Sequence, residues 1–268
     1  MAQERLVFPQ ASAALLEPHL PPTGQETKTF VTLTFATSLD SALSLAPGVR
    51  TRLSGAESKA MTHFVRSRHD AILIGVSTLL ADDATLNCRL DAASQPRPIV
   101  LDPHCRWEPQ PGNKVLDAQR RGLGLAPFVL CAPSVAVPGQ SDMVLRQHGG
   151  KYIAVASTSV SGRERFEWRD VLAALEAERL YSVMVEGGGA IINSLLDAAN
   201  QDLVDSVIVT IAPTWLGQGG VLVSPRRVHN GHGRPVAAAT VCNVSWLPLG
   251  NDVVLCGRLA PRHSARTD

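Results

Sequence analysis

The chain has 268 residues and a formal net charge of +1, with 45% hydrophobic and 18% charged residues. This apolar share is enough for a substantial core and excludes a disordered or collagen-like chain. A charge so close to zero gives no general basic field, which argues against a nucleic-acid-binding protein.

Cysteine usage and the N-terminus indicate the compartment. The five cysteines are widely spaced and form no CxxC pair, so neither a zinc site nor a disulfide framework is suggested. We expect a reduced compartment, and specifically the cytoplasm. The first ten residues contain early charges and no continuous apolar run, which argues against a secretory signal. The longest uncharged stretch, 206–225, is broken by glycine and proline, so no membrane span is predicted.

The chain divides into a central region and two ends. Residues 1–28 contain four prolines and are predicted to be an N-terminal extension, wrapped on the surface or frayed. Residues 259–268 are predicted to be a polar tail. Residues 29–258 contain no internal repeat and no linker-like stretch, so a single domain is expected there.

Short apolar runs rich in β-branched residues recur along the central region and have the length of strands. Their hydrophobicity is continuous rather than alternating, which is typical of strands covered on both faces. The predicted strands are Phe30–Ala36, Ala71–Val76, Pro98–Leu101, Phe128–Cys131, Tyr152–Ala156, Tyr181–Val185, Ser206–Ala212 and Val253–Cys256.

Helical patterns lie between several of these strands. They cover Glu57–Arg66, Asp170–Glu178 and Gly189–Ala198, and Ser54 with Glu57 is predicted to form a capping box for the first. The alternation predicts an α/β domain with a central, mostly parallel sheet flanked by helices in three layers.

The sharpest local motif is the segment from Val185 to Ile192, in which three glycines separate a strand from an amphipathic helix. Free N–H groups and close backbone approach at such a turn suit a pyrophosphate, while a tight packing turn is the structural alternative. The segment is not GxGxxG, so the Rossmann fingerprint is absent. Glu186 either caps the turn or points into a ligand cleft at the strand end.

A second motif runs from Arg66 to Arg89 and also joins a strand to a short helix. Ser77 and Thr78 stand at the predicted helix start, where hydroxyls usually act as caps. Asp82 and Asp83 favour an acidic turn over a metal site, because no third ligand is near. The two flanking arginines are candidates for clamping a phosphate or are ordinary surface residues.

Other chemical signatures are missing from the sequence. His229 and His232 lie in a glycine loop without a third ligand, so no metal site is predicted there. Neither GxSxG nor the P-loop pattern occurs, which argues against a hydrolase elbow and a P-loop nucleotide site.

Taken in order, four segments resemble the riboflavin-biosynthesis pyrimidine reductases, in particular the stand-alone fungal type. The segments are FVTLTFATSLD from Phe30, RSRHDAILIGVSTLLADDATLNCR from Arg66, VMVEGGGAIINSLLDA from Val183 and VDSVIVTIAPTWLGQGG from Val204. The resemblance spans roughly residues 29–258. It departs from the usual pattern at Ser41, Ser77 and Ala84, which stand where the family has glycine, glycine and proline.

The resemblance implies a dihydrofolate-reductase-like fold, a homodimer and NADPH as the hydride donor. The implied substrate is 2,5-diamino-6-ribosylamino-4(3H)-pyrimidinone 5′-phosphate, whose ribosyl group becomes ribityl. By motif, the implied cofactor-binding residues are Ala36, Thr78, Asp82, Gly187, Gly188, Gly189, Ala190 and Ile191. The implied substrate-binding residues are Arg66, Leu86, Arg89 and Glu186.

The chemistry of the implied reaction also needs a proton. Glu186 and Asp82 are the ionisable catalytic candidates, and bound water is a third possibility. The zinc-deaminase signature of the fused bacterial enzymes does not occur, so no metal is expected. Two alternatives stay open: an NADPH-dependent reductase of the same fold with another substrate, and a non-catalytic ligand-binding or assembly protein.

Overall fold

The computed structural model describes residues 6–24, 26–91, 93–160 and 163–261. Its helices are α1 (Gln10–Leu16), α2 (Ala56–Ser67), α3 (Val76–Asp82), α4 (Lys114–Arg120), α5 (Gly139–Gln147), α6 (Trp168–Ala177) and α7 (Gly189–Leu195). Short 3-10 turns cover Glu17–His19 and Gln201–Leu203.

The strands are β1 (Phe30–Thr37), β2 (Ala42–Ser44), β3 (Ala71–Gly75), β4 (Arg97–Leu101), β5 (Phe128–Cys131), β6 (Lys151–Ala154), β7 (Ser157–Val160), β8 (Arg163–Phe166), β9 (Ser182–Gly187), β10 (Ser206–Ile211), β11 (Val221–Leu222), β12 (Val228–His229), β13 (Pro235–Val236), β14 (Val241–Leu249) and β15 (Asp252–Leu259). Nine of them form one sheet in the order β14-β15-β10-β1-β9-β3-β4-β5-β6. The remaining strands pair in three small ribbons, β2 with β11, β7 with β8 and β12 with β13.

The large sheet confirms the predicted fold class. From β10 to β6 every neighbouring pair is parallel, and β15 and β14 extend the sheet antiparallel. All eight predicted strands are present, with ends that differ by a few residues. Val76, for example, begins α3 rather than ending β3. The three predicted helices are also present, although α7 stops at Leu195, earlier than expected.

The alternation of side chains along the strands creates two apolar layers. On one face Leu33, Leu73 and Val185 pack with α6 and α7 in the largest cluster. On the other face Ile72 and Ile74 pack with α3, α4 and α5, while Met184 and Ile208 pack with α2. Because both faces are covered, the strands carry the continuous apolar runs that the sequence displays.

The predicted capping box before α2 is wrong. The N-cap residue of this helix is Gly55, which has no side chain that could accept a hydrogen bond. Ser54 and Glu57 therefore do not form the reciprocal hydrogen bonds of a capping box. The Asp252 carboxylate instead accepts hydrogen bonds from the Gly55 N–H at 2.8 Å and from Ser58 Oγ at 2.6 Å. The acceptor at the start of this helix is thus an acidic side chain of β15, which is distant in sequence, and not the neighbouring residue that the sequence predicted.

The sheet edge also differs from the expectation. The family resemblance also puts the apolar run that contains Ser206 near a dimer contact, as an edge strand, but β10 lies between β1 and β15 and is an interior strand. The edge beside β15 is β14, which the sequence analysis did not identify. Buried and exposed residues alternate toward the end of this strand, and Trp246 is 57% exposed.

The N-terminal segment packs on the α2 side of the sheet. Leu16 and Leu20 are buried in the cluster with Met61, and Phe8 stacks on Phe64 with ring centroids 5.2 Å apart. Residues 1–5 and 262–268, parts of the predicted extension and tail, lie outside the described residues. Within the described ranges no helix is long and apolar enough to span a membrane.

Candidate active site

The predicted site residues gather at the carboxyl ends of three adjacent parallel strands. In the register of the sheet, Leu33 of β1 and Leu73 of β3 both lie beside Val185 of β9. The carboxyl-terminal end of the sheet therefore brings together Ala36, Glu186 and the residues after Gly75, and neighbouring strands there are about 4.8 Å apart. Ligand sites of open α/β sheets occur at such edges.

Glu186 is displaced from the regular ladder by a β-bulge. Leu73 pairs with Val185 but the next residue, Ile74, pairs with Gly187, so Glu186 is the extra residue. A bulge re-aims a side chain and is common beside active sites. Here Val185 packs with the α6–α7 layer, while Glu186 meets Arg66 of α2 on the opposite face.

The contact between Arg66 and Glu186 is a bidentate ion pair. Arg66 Nε donates to Glu186 Oε1 and Arg66 Nη2 to Glu186 Oε2, each at 2.6 Å, and both side chains are mostly buried. Arg66 Nη1 donates to the Asn87 carbonyl at 2.9 Å. Burial works to lower the pKa of Arg66, but the charge and hydrogen bonds of Glu186 raise it above its ordinary value. Arg66 is thus a fixed cation whose plane is defined by three hydrogen bonds.

The glycine turn after β9 is shaped for close approach. Gly187 and Gly188 adopt φ of +153° and +93°, conformations that L side chains rarely take. A Cβ on Gly188 would lie 2.9 Å from Thr78 Oγ1, and one on Gly189 would lie 2.5 Å from Val221. Gly188 therefore brings the turn against Thr78, whereas Gly189 is required by packing against β11.

The hydroxyls at the start of α3 are not caps. The residue before the helix is Gly75, and no side chain caps it. Ser77 Oγ accepts a hydrogen bond from Arg106 Nη2 at 3.0 Å, and Thr78 lies against the glycine turn. A Cβ on Gly75 would lie 2.9 Å from Ile191, so the two glycine-containing turns pack together.

The two neighbouring aspartates have different environments. Asp83 ends α3 with φ +42°, and its Oδ1 accepts from the Lys114 N–H at 3.1 Å, in agreement with the structural interpretation of an acidic turn. Asp82 is half-buried, and burial raises its pKa while Arg50 and Lys114 act against the shift. Burial thus favours the protonated form of Asp82.

Leu86 and Arg89 follow α3 in an irregular segment. The Leu86 side chain is 3% exposed and belongs to the core below α3, with φ at +52°, so only its backbone is available to a ligand. Arg89 approaches His63 of α2, with Nε at 3.1 Å and Nη2 at 2.8 Å from His63 Nε2. Sequence reasoning missed His63, although Lys59, His63 and Arg66 have the spacing of one helix face.

A cavity of about 340 Å³ lies beside α3, lined by Leu79, Leu80, Asp83, Arg106, Trp107, Glu108, Gln110 and Asn113, none of them predicted site residues. Among residues 6–24, 26–91, 93–160 and 163–261, no group of three or more His, Cys, Asp or Glu side chains could hold a metal ion.

Comparisons with known proteins place these motifs in context. The family model for the RibD C-terminal domain matches residues 29–255. The chain is 39% identical to the 2,5-diamino-6-ribosylamino-4(3H)-pyrimidinone 5′-phosphate reductase of Debaryomyces hansenii over 86% of the chain and 89% of that protein. It is 37% identical to the enzyme of the same name from Saccharomyces cerevisiae, over 91% of the chain and 94% of that protein.

The solved structure of a riboflavin biosynthesis reductase from Saccharomyces cerevisiae superposes with a TM-score of 0.73 at 33% identity. The match covers 92% of this chain and 98% of that one.

Proposed function

The chain belongs to the RibD C-terminal domain family, and from that premise we propose that it reduces the ribosyl group of 2,5-diamino-6-ribosylamino-4(3H)-pyrimidinone 5′-phosphate to the ribityl form. It is an oxidoreductase of dihydrofolate-reductase-like fold that serves riboflavin biosynthesis. The observation that carries the proposal is that relatives bearing this enzyme's name match nearly their whole length at 37–39% identity.

A reductase of this family implies a nicotinamide cofactor, which we propose to be NADPH. When bound, the dihydronicotinamide supplies a hydride. The glycine turn fits such a ligand, because a Cβ on Gly187 would meet nothing within 4 Å, which leaves the backbone open to close approach, while Gly188 lies against the Thr78 hydroxyl. We propose that the Thr78 hydroxyl, Asp82, the 187–191 backbone and the end of β1 at Ala36 hold the cofactor.

The substrate is proposed to lie on the α2 side of the same edge, against Arg66, Leu86, Arg89 and Glu186. The ion pair fixes the Glu186 carboxylate in a defined plane, so that it can orient a ribosyl hydroxyl by accepting a hydrogen bond. Leu86 contributes its backbone. Arg89 is proposed to bind the 5′-phosphate, for which a guanidinium supplies two parallel charge-assisted bonds.

Two observations favour Asp82 over Glu186 as the proton donor of the reduction. Both oxygens of Glu186 already accept hydrogen bonds from Arg66, which engages this carboxylate as an acceptor. Burial raises the pKa of Asp82 and so favours its protonated form. Asp82 would deliver a proton to the ring oxygen or nitrogen of the opening ribosylamine as hydride reaches C1′.

An assay of cofactor oxidation tests the reaction. We expect the absorbance of NADPH to fall when the ribosylaminopyrimidine phosphate is added to the purified protein, and to fall far more slowly with NADH. Asp82→Asn should lower kcat and remove the decline in activity as pH rises through the raised pKa of Asp82. No NADPH oxidation with this substrate, but oxidation with another pyrimidine or pteridine, would favour a different substrate.

We also propose that the protein is a homodimer in which the β14 edge is covered by a second copy. β14 ends the nine-stranded sheet, and Val244 and Trp246 on it are 40% and 57% exposed. Exposed strand edges with apolar side chains are normally covered, and a two-fold partner is a common cover. Light scattering should give twice the chain mass at micromolar concentration, and a monomer mass would contradict the proposal.

A further inference from the structure

His63 is a buried histidine whose two ring nitrogens both face Arg89. It is 3% exposed and lies on the face of α2 that also carries Lys59 and Arg66. The Arg89 backbone N–H lies 3.1 Å from His63 Nδ1, and the Nε and Nη2 atoms of its guanidinium lie 3.1 and 2.8 Å from His63 Nε2. Both ring nitrogens of His63 therefore face N–H groups of the same arginine.

The imidazole is neutral in this environment. Burial, together with the positive charges of Arg66, Arg89 and Lys59, lowers the pKa of His63 to about 2. A neutral imidazole has one N–H and one lone pair, so only one ring nitrogen can accept a hydrogen bond. A hydrogen bond from the cationic guanidinium is stronger than one from the backbone N–H of Arg89. We therefore assign the lone pair to Nε2, which faces the guanidinium.

The two arginines of the site thus have chemically different partners. Glu186 brings a negative charge to Arg66 and holds it through two bonds of 2.6 Å. His63 holds the Arg89 guanidinium through hydrogen bonds and adds no charge to it. A neutral acceptor fixes the direction of a guanidinium and preserves its attraction for an anion.

We propose that His63 is a positioning residue that orients the Arg89 guanidinium for the 5′-phosphate of the substrate by acting as a neutral acceptor. The inference rests on the phosphate-binding role proposed for Arg89. It requires that position 63 hold an acceptor and that the acceptor be uncharged, and these two requirements can be tested separately.

Three substitutions separate acceptor from charge. His63→Gln keeps a neutral acceptor, and we expect its KM for the phosphorylated substrate to rise by no more than about threefold. His63→Glu keeps an acceptor but adds a negative charge, and should raise this KM by about tenfold or more, with kcat changed by less than about twofold. His63→Leu removes the acceptor and should give an increase between these two.

The dephosphorylated riboside gives the readout that a merely structural role would not produce. Its KM should be the same within about twofold in wild type and all three variants, because Arg89 has no phosphate to bind. In an Arg89→Met background, His63→Glu should have no further effect on KM for the phosphorylated substrate. His69→Gln is the matched control, since His69 is also buried but bonds to Thr32 and the Val65 carbonyl.

Two results would overturn the inference: equal KM values for His63→Gln and His63→Glu, or a parallel rise in KM for the riboside. If wild-type protein reduces neither compound, the proposed function has failed, and calorimetry with ribose 5-phosphate tests His63 independently. Binding should then be about tenfold weaker in His63→Glu than in His63→Gln, and equal binding would refute the role of His63. Thermal unfolding of every variant identifies any that fail to fold, in which case the Gln–Leu comparison replaces the Glu variant.

Discussion

The two sides of the site differ in what shapes them. On the arginine side, formed by Arg66, Glu186, His63 and Arg89, charged and polar side chains hold one another through hydrogen bonds of 2.6 to 3.1 Å. On the glycine side, formed by Gly187, Gly188 and Thr78, the shape arises from side chains that are missing. We expect ligand binding to be lost on the arginine side when a charged or polar side chain is removed, and on the glycine side when a side chain is added.

The largest effect is expected from Glu186→Leu on the arginine side. It leaves Arg66 as an uncompensated, mostly buried charge, which typically costs about 3–5 kcal/mol of unfolding free energy. We also expect kcat/KM to fall by at least about a hundredfold, because the carboxylate that orients the substrate is lost. Denaturant unfolding and steady-state kinetics measure the two effects.

Asp202→Leu is the control for this substitution. Asp202 pairs with Arg169 at 2.7 Å, but both side chains are more than half exposed. Solvent screening limits such a pair to about 1 kcal/mol or less. Similar losses of stability in the two variants would show that the Arg66–Glu186 pair is no more important than a surface pair.

On the glycine side, Gly188→Asp should weaken NADPH binding by about a hundredfold. The new Cβ would lie 2.9 Å from Thr78 Oγ1, and the carboxylate would repel the cofactor phosphates. The positive φ adds backbone strain of about 1–2 kcal/mol. Fluorescence titration with NADPH measures the dissociation constant.

Gly219→Asp separates strain from contact. Gly219 has the same φ of +93°, but a Cβ there would meet nothing within 4 Å. The Gly219→Asp variant should have the same backbone strain but an unchanged affinity for NADPH. Equal NADPH affinities in the two variants would contradict the assignment of the glycine turn to the cofactor.

Arg89→Met tests the division of ligands between the two sides. A lost hydrogen bond from a charged group costs about 2 kcal/mol, so KM for the phosphorylated substrate should rise more than tenfold. NADPH affinity should change little, because the cofactor is assigned to the glycine side. A loss of NADPH affinity alone would assign Arg89 to the cofactor. No change in either constant would contradict a role of Arg89 in ligand binding.

The smallest effect is expected from Asp82→Asn on stability. Because the pKa of Asp82 is raised in the folded state, its contribution to stability is full below its ordinary value of 3.8 and is lost as pH rises through the raised value. The asparagine variant should therefore gain stability relative to wild type at neutral pH and match it in acid. Partial exposure limits the gain to less than about 1 kcal/mol. A gain that persists unchanged at low pH would argue against this titration.

The sequence determined the layered α/β architecture and the order of the motifs along the chain. Continuous apolar runs are a local property of strands buried on both faces, so all eight predicted strands could be located from the local sequence pattern. The antiparallel edge strand β14 was missed because Asn243, Ser245 and Pro248 interrupt its apolar run, and about half of its residues are exposed. The helix cap was missed because Asp252 reaches Gly55 from a strand far along the chain.

Only the tertiary structure decided which polar side chains meet. Arg66 and Glu186 are 120 residues apart, and the pair forms because β9 lies between β1 and β3 and presents Glu186 to α2 on the same face as Met184. In the sequence, Arg66 and Arg89 were equivalent candidates for binding a phosphate. Their partners, a carboxylate for one and a neutral imidazole for the other, depend on long-range packing that no local pattern encodes.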